Sequence, residues 1–334
     1  MQELAQWIRH NQKISEIYKK IEALEEDIIK EIIKNSQVIL ATNSSSALEF
    51  IKDSIFDVAI IDEASQATIP SVLIPISKAK RFILAGDHKQ LPPTILNERA
   101  MELSKTLFEG LITLYPQKSA LLRVQYRMNE LLMEFPNKEF YEEKILTFEG
   151  VKNISLKDLN IKNSSFGEPW DKILSLEAPL IFIDTWKCKN KWERQRKDST
   201  SRENPLEAQI VKNIIEKFLG MNVKKEWIGV ITPNDDQVDL ISSLLKKIEV
   251  KSVDGYQGRE KEIIILSLVR SNKDKDLGFL EDLGRLNVSL TRAKRKLIVI
   301  GDSETLSVHP TYKRFIGFVK EKGIYLEFEE KKNF

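Results

Sequence analysis

Between Ile14 and Ile33 the apolar positions recur at helical spacing: Ile14, Ile21 and Ile28 stand seven apart, and Ile17 and Leu24 follow the first two by three. Residues so spaced share one face of a helix, so the segment reads as a long amphipathic helix. Either it packs on the next domain or it projects as one arm of a helical hairpin. After Asn35 the pattern changes to short apolar runs separated by helical stretches. Val38 to Ala41, Val58 to Ile61 and Phe82 to Ala85 form one series; Leu180 to Ile183, Ile228 to Ile231, Ile263 to Leu268 and Leu297 to Ile300 form another. Short apolar runs with polar or glycine-containing ends, alternating with helices, predict buried strands of parallel sheets in an α/β fold. Two series imply two sheets, with a boundary between Pro116 and Arg123. The expected organisation is a helical segment over 1–36, one domain over 37–118 and a second over 119–334. The polar stretches Asn153 to Asp171 and Trp186 to Pro205 read as surface insertions in the second domain.

A chain of 334 residues holds two such cores, and 42% hydrophobic with 31% charged residues is a globular profile. The longest apolar run, Ile263 to Val269, has strand length and falls short of the ~18 residues a bilayer helix needs. The start, MQELAQWIRH, lacks the basic residues and apolar stretch of a secretory signal. The expected location is cytoplasmic, with no membrane partner. Cys188 is the only cysteine, which excludes an internal disulfide and a cysteine-built zinc site; His10, His88 and His309 are scattered. The net charge of +2 says little about partners. Two local clusters say more: Lys187, Lys189, Lys191, Arg194, Arg196 and Lys197 in one loop, and Arg292, Lys294, Arg295 and Lys296 in another. Charge alone leaves both a solvated face and a nucleic-acid contact open.

The sharpest local feature is Asp57-Val-Ala-Ile-Ile-Asp62-Glu63-Ala64-Ser65-Gln66, an apolar run ending in adjacent carboxylates. At the C-terminal end of a parallel strand, side chains reach the crevice where α/β proteins bind ligands. One carboxylate there can hold Mg2+ through its water shell while its neighbour orients or deprotonates a water. Two acids after a strand also open ordinary helices. Gly86-Asp87-His88-Lys89-Gln90-Leu91-Pro92-Pro93 follows the next strand. Gly86 permits a tight turn, the prolines stiffen the exit, and Gln90 offers an uncharged amide to a terminal phosphate or an attacking water.

With these blocks stand Gln125-Tyr126-Arg127-Met128, Ser252-Val253-Asp254-Gly255-Tyr256-Gln257-Gly258-Arg259-Glu260-Lys261-Glu262, Arg285-Leu286-Asn287-Val288 and Leu290-Thr291-Arg292-Ala293. In this order they resemble the superfamily 1B helicases, in the branch of the nonsense-mediated-decay and immunoglobulin-mu-binding helicases. The resemblance implies tandem RecA-like P-loop NTPase domains, ATP and Mg2+ as cofactors, and single-stranded DNA or RNA as partner. It implies that Asp62 binds the metal, Glu63 is the general base and Gln90 senses the γ-phosphate. Arg127 and Arg292 would be arginine fingers, Glu260 would hydrogen-bond the ribose, and Tyr126, Gly258 and Arg259 would line the nucleotide. Rigid guanidinium groups answer the charge that spreads over the γ-phosphate oxygens in phosphoryl transfer. Thr42, Asn43 and Ser44, and in the second domain Thr232, Pro233 and Ser252, would touch the backbone of a single strand. Each of these taken alone also fits a helix cap.

One part of the pattern is missing. The 13 glycines include no Gly-Lys dipeptide, so the loop that cradles phosphates in this family has no counterpart in these residues. The expectation is a first motor domain that is incomplete, preceded by the tail of a helical insertion, in an expressed fragment, a split subunit whose partner supplies the P-loop, or a truncated product. The leading function is an ATP-dependent helicase or translocase, with 5′ to 3′ travel implied by resemblance. The alternative is a non-catalytic binding or regulatory module. Glu142-Glu143-Lys144 fits a short nuclease pattern but lies within the region the helicase resemblance covers.

Overall fold

The computed structural model describes residues 2–52, 54–95 and 97–329. The chain forms two compact units, one of residues 1–88 and 92–119 and one of residues 89–91 and 120–334.

The first unit begins with helix Gln2–Asn35, longer at both ends than the periodicity alone marks. Its segment contains no proline or glycine to interrupt it, and the Ser36 hydroxyl donates to the Ile32 carbonyl at 2.7 Å in the last turn. The apolar stripe carrying Ile17, Leu24, Ile28 and Ile32 is exposed. Val38 to Ala41, expected as a strand, is not one: Val38 and Leu40 are exposed and the segment has no ladder partner among the described residues. A strand exists only where a neighbour takes its amides and carbonyls, and among the described residues of this unit the one sheet is a parallel pair, β1 (Ala59–Ile61) and β2 (Phe82–Leu84). Helix Ile69–Ile76 provides the crossover. Ile61, Ala64 and Phe108 form a small core, the last from helix Leu107–Leu114, whose N-cap Thr106 accepts the Glu109 amide at 3.2 Å.

The second unit carries a two-stranded parallel ladder, β3 (Val124–Gln125) with β4 (Leu146–Thr147), and a six-stranded parallel sheet. The large sheet comprises β5 (Leu180–Asp184), β6 (Ile228–Thr232), β7 (Glu249–Ser252), β8 (Lys261–Ser267), β9 (Ala293–Gly301) and β10 (Ile324–Glu327), in the order β10-β5-β9-β8-β6-β7. Its strands read as apolar runs because both faces are covered. Leu180, Phe182, Ile264, Leu266, Leu297 and Val299 enter one core with helices Glu130–Phe140, Leu283–Leu290 and Pro310–Lys322. Their chain neighbours Ile181, Ile183, Ile263, Ile265, Ile298 and Ile300 enter the other core with helices Pro205–Gly220 and Asp235–Leu244.

Two positions in the sheet are demanding. A Cβ on Gly229 would lie 1.8 Å from the Tyr256 hydroxyl oxygen and 2.7 Å from its ring carbon, so β6 is built around that buried ring. Gly229→Ala is therefore expected to destabilise the unit by about 1–3 kcal/mol through overpacking. Thermal unfolding should show a melting point several degrees lower; an unchanged one would show that Tyr256 moves at no cost. Lys296 in β9 is fully buried and donates to the Ser175 and Ala178 carbonyls at 2.8 and 2.7 Å, and burial pushes its ammonium down to about 7. The basic run from Arg292 to Lys296 is thus no surface patch: Arg292 is buried too, Lys294 pairs with Glu260, and Arg295 pairs with Glu262.

Candidate active site

In the first unit the carboxylate pair sits where β1 ends. The Ile61 carbonyl accepts the Ala85 amide at 2.8 Å, and the Ala85 carbonyl accepts the Ala64 amide at 2.8 Å, so the turn through Asp62 and Glu63 is clamped to the segment leaving β2. Asp62 Oδ1 accepts the Glu63 amide at 2.9 Å, and Glu63 adopts a left-handed backbone with φ 51°. That conformation is uncommon outside glycine and persists where neighbours over-determine it. Gln66 Nε2 donates to Glu63 Oε2. Both carboxylates are exposed. Gly86 is required for the close approach, since a Cβ there would stand 2.9 Å from the Ser65 amide nitrogen, and the Asp87 amide donates to Ser65 Oγ at 3.1 Å.

In the second unit, Gln90, Arg127, Glu260 and Arg292 come together around Thr291. Arg292 Nε donates to the Val288 carbonyl at 3.0 Å, and its Nη2 donates to Thr291 Oγ1 at 2.9 Å and to Gln90 Oε1 at 3.4 Å. Asn287 Nδ2 holds the Gln90 segment by donating to the Lys89 carbonyl at 2.9 Å. Arg127 Nε meets Glu260 Oε2 at 2.5 Å, while its Nη1 donates to the Thr291 carbonyl at 3.1 Å. Lys294 Nζ lies 2.7 Å from Glu260 Oε1. Burial works to raise the Glu260 carboxyl, but the hydrogen bonds and charges of Lys294 and Arg127 together hold it below the usual carboxylate range. A guanidinium fixed through its planar fork keeps its remaining N–H directions defined, which suits an oxyanion ligand. Tyr126 is exposed and stacks at a tilt on Phe148, 4.8 Å between ring centres. Gly258 has φ 70°, and Arg259 Nη1 pairs with Glu249 Oε1 at 2.5 Å.

The residues expected to touch nucleic acid are differently placed. Thr42 Oγ1 accepts the Ser45 amide at 3.1 Å, Asn43 Nδ2 donates to Ser71 Oγ at 3.2 Å, and Ser44 precedes a short 3-10 turn without capping it through its side chain. Thr232, at the end of β6, is fully buried and its hydroxyl has no hydrogen-bond partner among the described residues. Pro233 beside it is half-buried. Ser252 ends β7, and its Oγ accepts the Gly255 amide at 3.4 Å. The Glu142-Glu143-Lys144 stretch is a turn with two left-handed glutamates, Glu142 pairing with Lys144.

Sequence reasoning misses a buried polar network at the C-terminal edge of β8. Glu207 Oε2 accepts from Ser267 Oγ at 2.6 Å and from the Val269 amide at 2.9 Å. Asn204 Nδ2 donates to the Lys191 and Val269 carbonyls at 2.8 and 3.1 Å, and Gln237 Nε2 donates to Ser267 Oγ at 3.0 Å. Val269 has φ 69°, an outlier for a β-branched residue. Burial, with Asp302 and Glu193 adding to it, pushes the Glu207 carboxyl up to about 8. The one signal in the sequence, Asn204 three residues before Glu207, reads as an ordinary helix start.

Residues 103–304 match a family described as an AAA domain, and residues 1–98 match a second family with the same description. The chain is 46% identical over 321 residues to an uncharacterized ATP-dependent helicase of Methanocaldococcus jannaschii, a match covering 95% of this chain and 46% of that protein. It is 37% identical over 345 residues to DNA polymerase alpha-associated DNA helicase A of Saccharomyces cerevisiae, covering 91% and 50%. It is 36% identical over 323 residues to DNA-binding protein SMUBP-2 of Rattus norvegicus, covering 93% and 32%. The chain thus spans half or less of the length of these curated relatives. Among the described residues no helix is long and apolar enough to cross a membrane.

Proposed function

We propose, since this chain belongs to the superfamily 1B helicases in the branch of ATP-dependent helicase upf1 and DNA-binding protein SMUBP-2, that it carries the hydrolytic carboxylates and the arginine cluster of an ATP-driven motor moving 5′ to 3′ on single-stranded DNA or RNA. The observation that carries this reading is the assembly of Gln90, Arg127, Glu260 and Arg292 around Thr291. The carboxylates belong to the first unit, and Gln90 and the arginines to the second.

Glu63 takes the proton of the attacking water, Gln90 reads the γ-phosphate, and the two guanidinium groups receive the charge that develops on its oxygens. Glu260, with Tyr126, Gly258 and Arg259, holds the nucleoside end. Asp62 presents a single exposed carboxylate, and among the described residues no three acidic, histidine or cysteine side chains cluster into a closed metal cage. One carboxylate is what Mg2+ takes when water and phosphate oxygens complete its shell. Asp62 would hold the ion, which would supply positive charge against the phosphate oxygens.

Because these residues contain no Gly-Lys-Ser or Gly-Lys-Thr, the purified 334-residue chain is expected to release phosphate from ATP only at background, with or without oligo-dT or oligo-U. Adding a separate polypeptide that bears the family's phosphate loop is expected to raise turnover, and single strands to stimulate it further. A malachite-green assay measures both. Robust turnover by the chain alone would overturn the dependence on a supplied loop. No turnover in a mixture whose parts demonstrably associate and bind nucleotide would overturn the motor reading and favour a non-catalytic module.

A further inference from the structure

We infer that the loop from Trp186 to Asn204 is a second contact surface for the same single strand, in which the indoles of Trp192 and Trp186 stack on bases while Lys189, Arg194 and Lys197 meet phosphates. This rests on the nucleic-acid reading above and extends it to residues that reading leaves unused.

The loop leaves the C-terminal end of β5, on the sheet edge that also carries Pro233 and Ser252. It is held rather than loose. Asn204 Nδ2 donates to the Lys191 carbonyl at 2.8 Å, the Glu193 amide donates to the Ser271 carbonyl at 3.1 Å, and Arg194 and Glu203 exchange backbone hydrogen bonds at 2.8 and 2.9 Å. Arg196 Nη2 donates to the Asp236 carbonyl at 2.9 Å and the Asp236 amide to Ser201 Oγ at 3.2 Å, which seats the loop on the first turn of the helix that follows Thr232 and Pro233. The loop therefore adjoins the segment that follows Pro233.

On that frame two indoles are exposed, Trp186 at 38% and Trp192 at 43%. Each has an ammonium over its ring, Lys187 at 5.0 Å and Lys191 at 4.9 Å. A rigid, exposed indole beside fixed cations is the surface on which bases stack without regard to sequence. The charge balance has the right sign. Seven basic side chains stand against three acidic ones between 186 and 204. The buried carboxylate of Glu203 is shared by Arg194 at 2.7 Å and Arg196 at 2.6 Å; Arg196 also lies 3.9 Å from Asp236 and 3.7 Å from Asp239, so Arg194, with 63% of its side chain exposed, is the guanidinium turned to solvent. Lys189 and Lys197 add exposed ammonium groups. Lys187 and Lys191, by contrast, are engaged by Glu327 and by Asp302 with Glu304, so they hold the loop.

The test is fluorescence anisotropy of labelled oligo-dT and oligo-U with the full 334-residue chain. Trp186→Ala with Trp192→Ala is expected to weaken binding at least tenfold, and the corresponding pair of Phe substitutions to restore most of it. Lys189→Glu with Lys197→Glu, both on exposed positions, is expected to lower the slope of log K against log salt by about 1.4, the loss of two phosphate contacts on a single strand. Melting temperatures and circular dichroism of the four preparations report whether each has folded; the lysine pair tests the loop even where the alanine pair has not. Binding by folded variants within twofold of the parent, with an unchanged salt slope, would overturn the inference while leaving the nucleic-acid reading intact. No binding by the parent chain would overturn both.

Discussion

Glu63→Gln and Arg292→Lys are each expected to lower single-strand-stimulated phosphate release by about 10³-fold or more, in the mixture of this chain with a phosphate-loop polypeptide. The two changes remove different things. Gln at 63 keeps the shape and the donor contact with Gln66 but cannot accept a proton, so a loss there is the loss of a base. Lys at 292 keeps the charge but not the fork that reaches the Val288 carbonyl, Thr291 Oγ1 and Gln90 Oε1 at once. If both act on the transition state, affinity for a non-hydrolysable nucleotide should change only a few-fold while turnover collapses. Arg292 is buried, so the melting temperature of the Lys variant must be followed alongside. An Arg292→Lys protein that is folded and retains a tenth of parent turnover would remove Arg292 from the chemistry, leaving it a side chain that holds the Gln90 loop.

How far the sequence speaks for the structure depends on which physical rule each residue obeys. Ile263 to Leu268 and Leu297 to Ile300 appear as strands because β8 and β9 are buried on both faces, and continuous apolar runs have few other uses. Val38 to Ala41 has the same composition and forms no strand, since pairing is a property of neighbours that composition does not carry. Asp62, Glu63 and Gln90 stand out as candidates from their position after apolar runs, and Arg127, Glu260 and Arg292 only from the ordered set of motifs. Nothing local tells that Arg127 reaches Glu260, more than a hundred residues away in the chain. Polar residues inside the core are the blind spot. Lys296 reads as one more charge in a basic run, although β9 turns it inward to two carbonyls. Thr232 reads as an exposed hydroxyl, although the strand end encloses it.

Glu207 belongs to the same class and gives the largest expected effect on stability. Its carboxyl is enclosed, accepts from Ser267 and the Val269 amide, and faces two further carboxylates, Asp302 and Glu193, with Lys191 paired to Asp302 at 3.1 Å. With a folded-state value of about 8 against an ordinary 4.5, the folded chain holds a proton that the unfolded chain has released. The folded state therefore binds more protons between these values, and stability falls with rising pH, by at most about 1.4 kcal/mol per unit, until the folded group also ionises. Glu207→Gln removes the titration while keeping an oxygen for Ser267 and Val269. The variant is expected to melt close to the parent near pH 5 and roughly 5 °C or more above it at pH 8, on the scale of about 2–4 °C per kcal/mol for a domain of this size. Scanning calorimetry at several pH values between these limits reads the divergence directly. Parallel curves would mean that Glu207 is ionised in the fold, and that the amide of Val269, held in its left-handed turn, stabilises a buried carboxylate rather than a carboxylic acid.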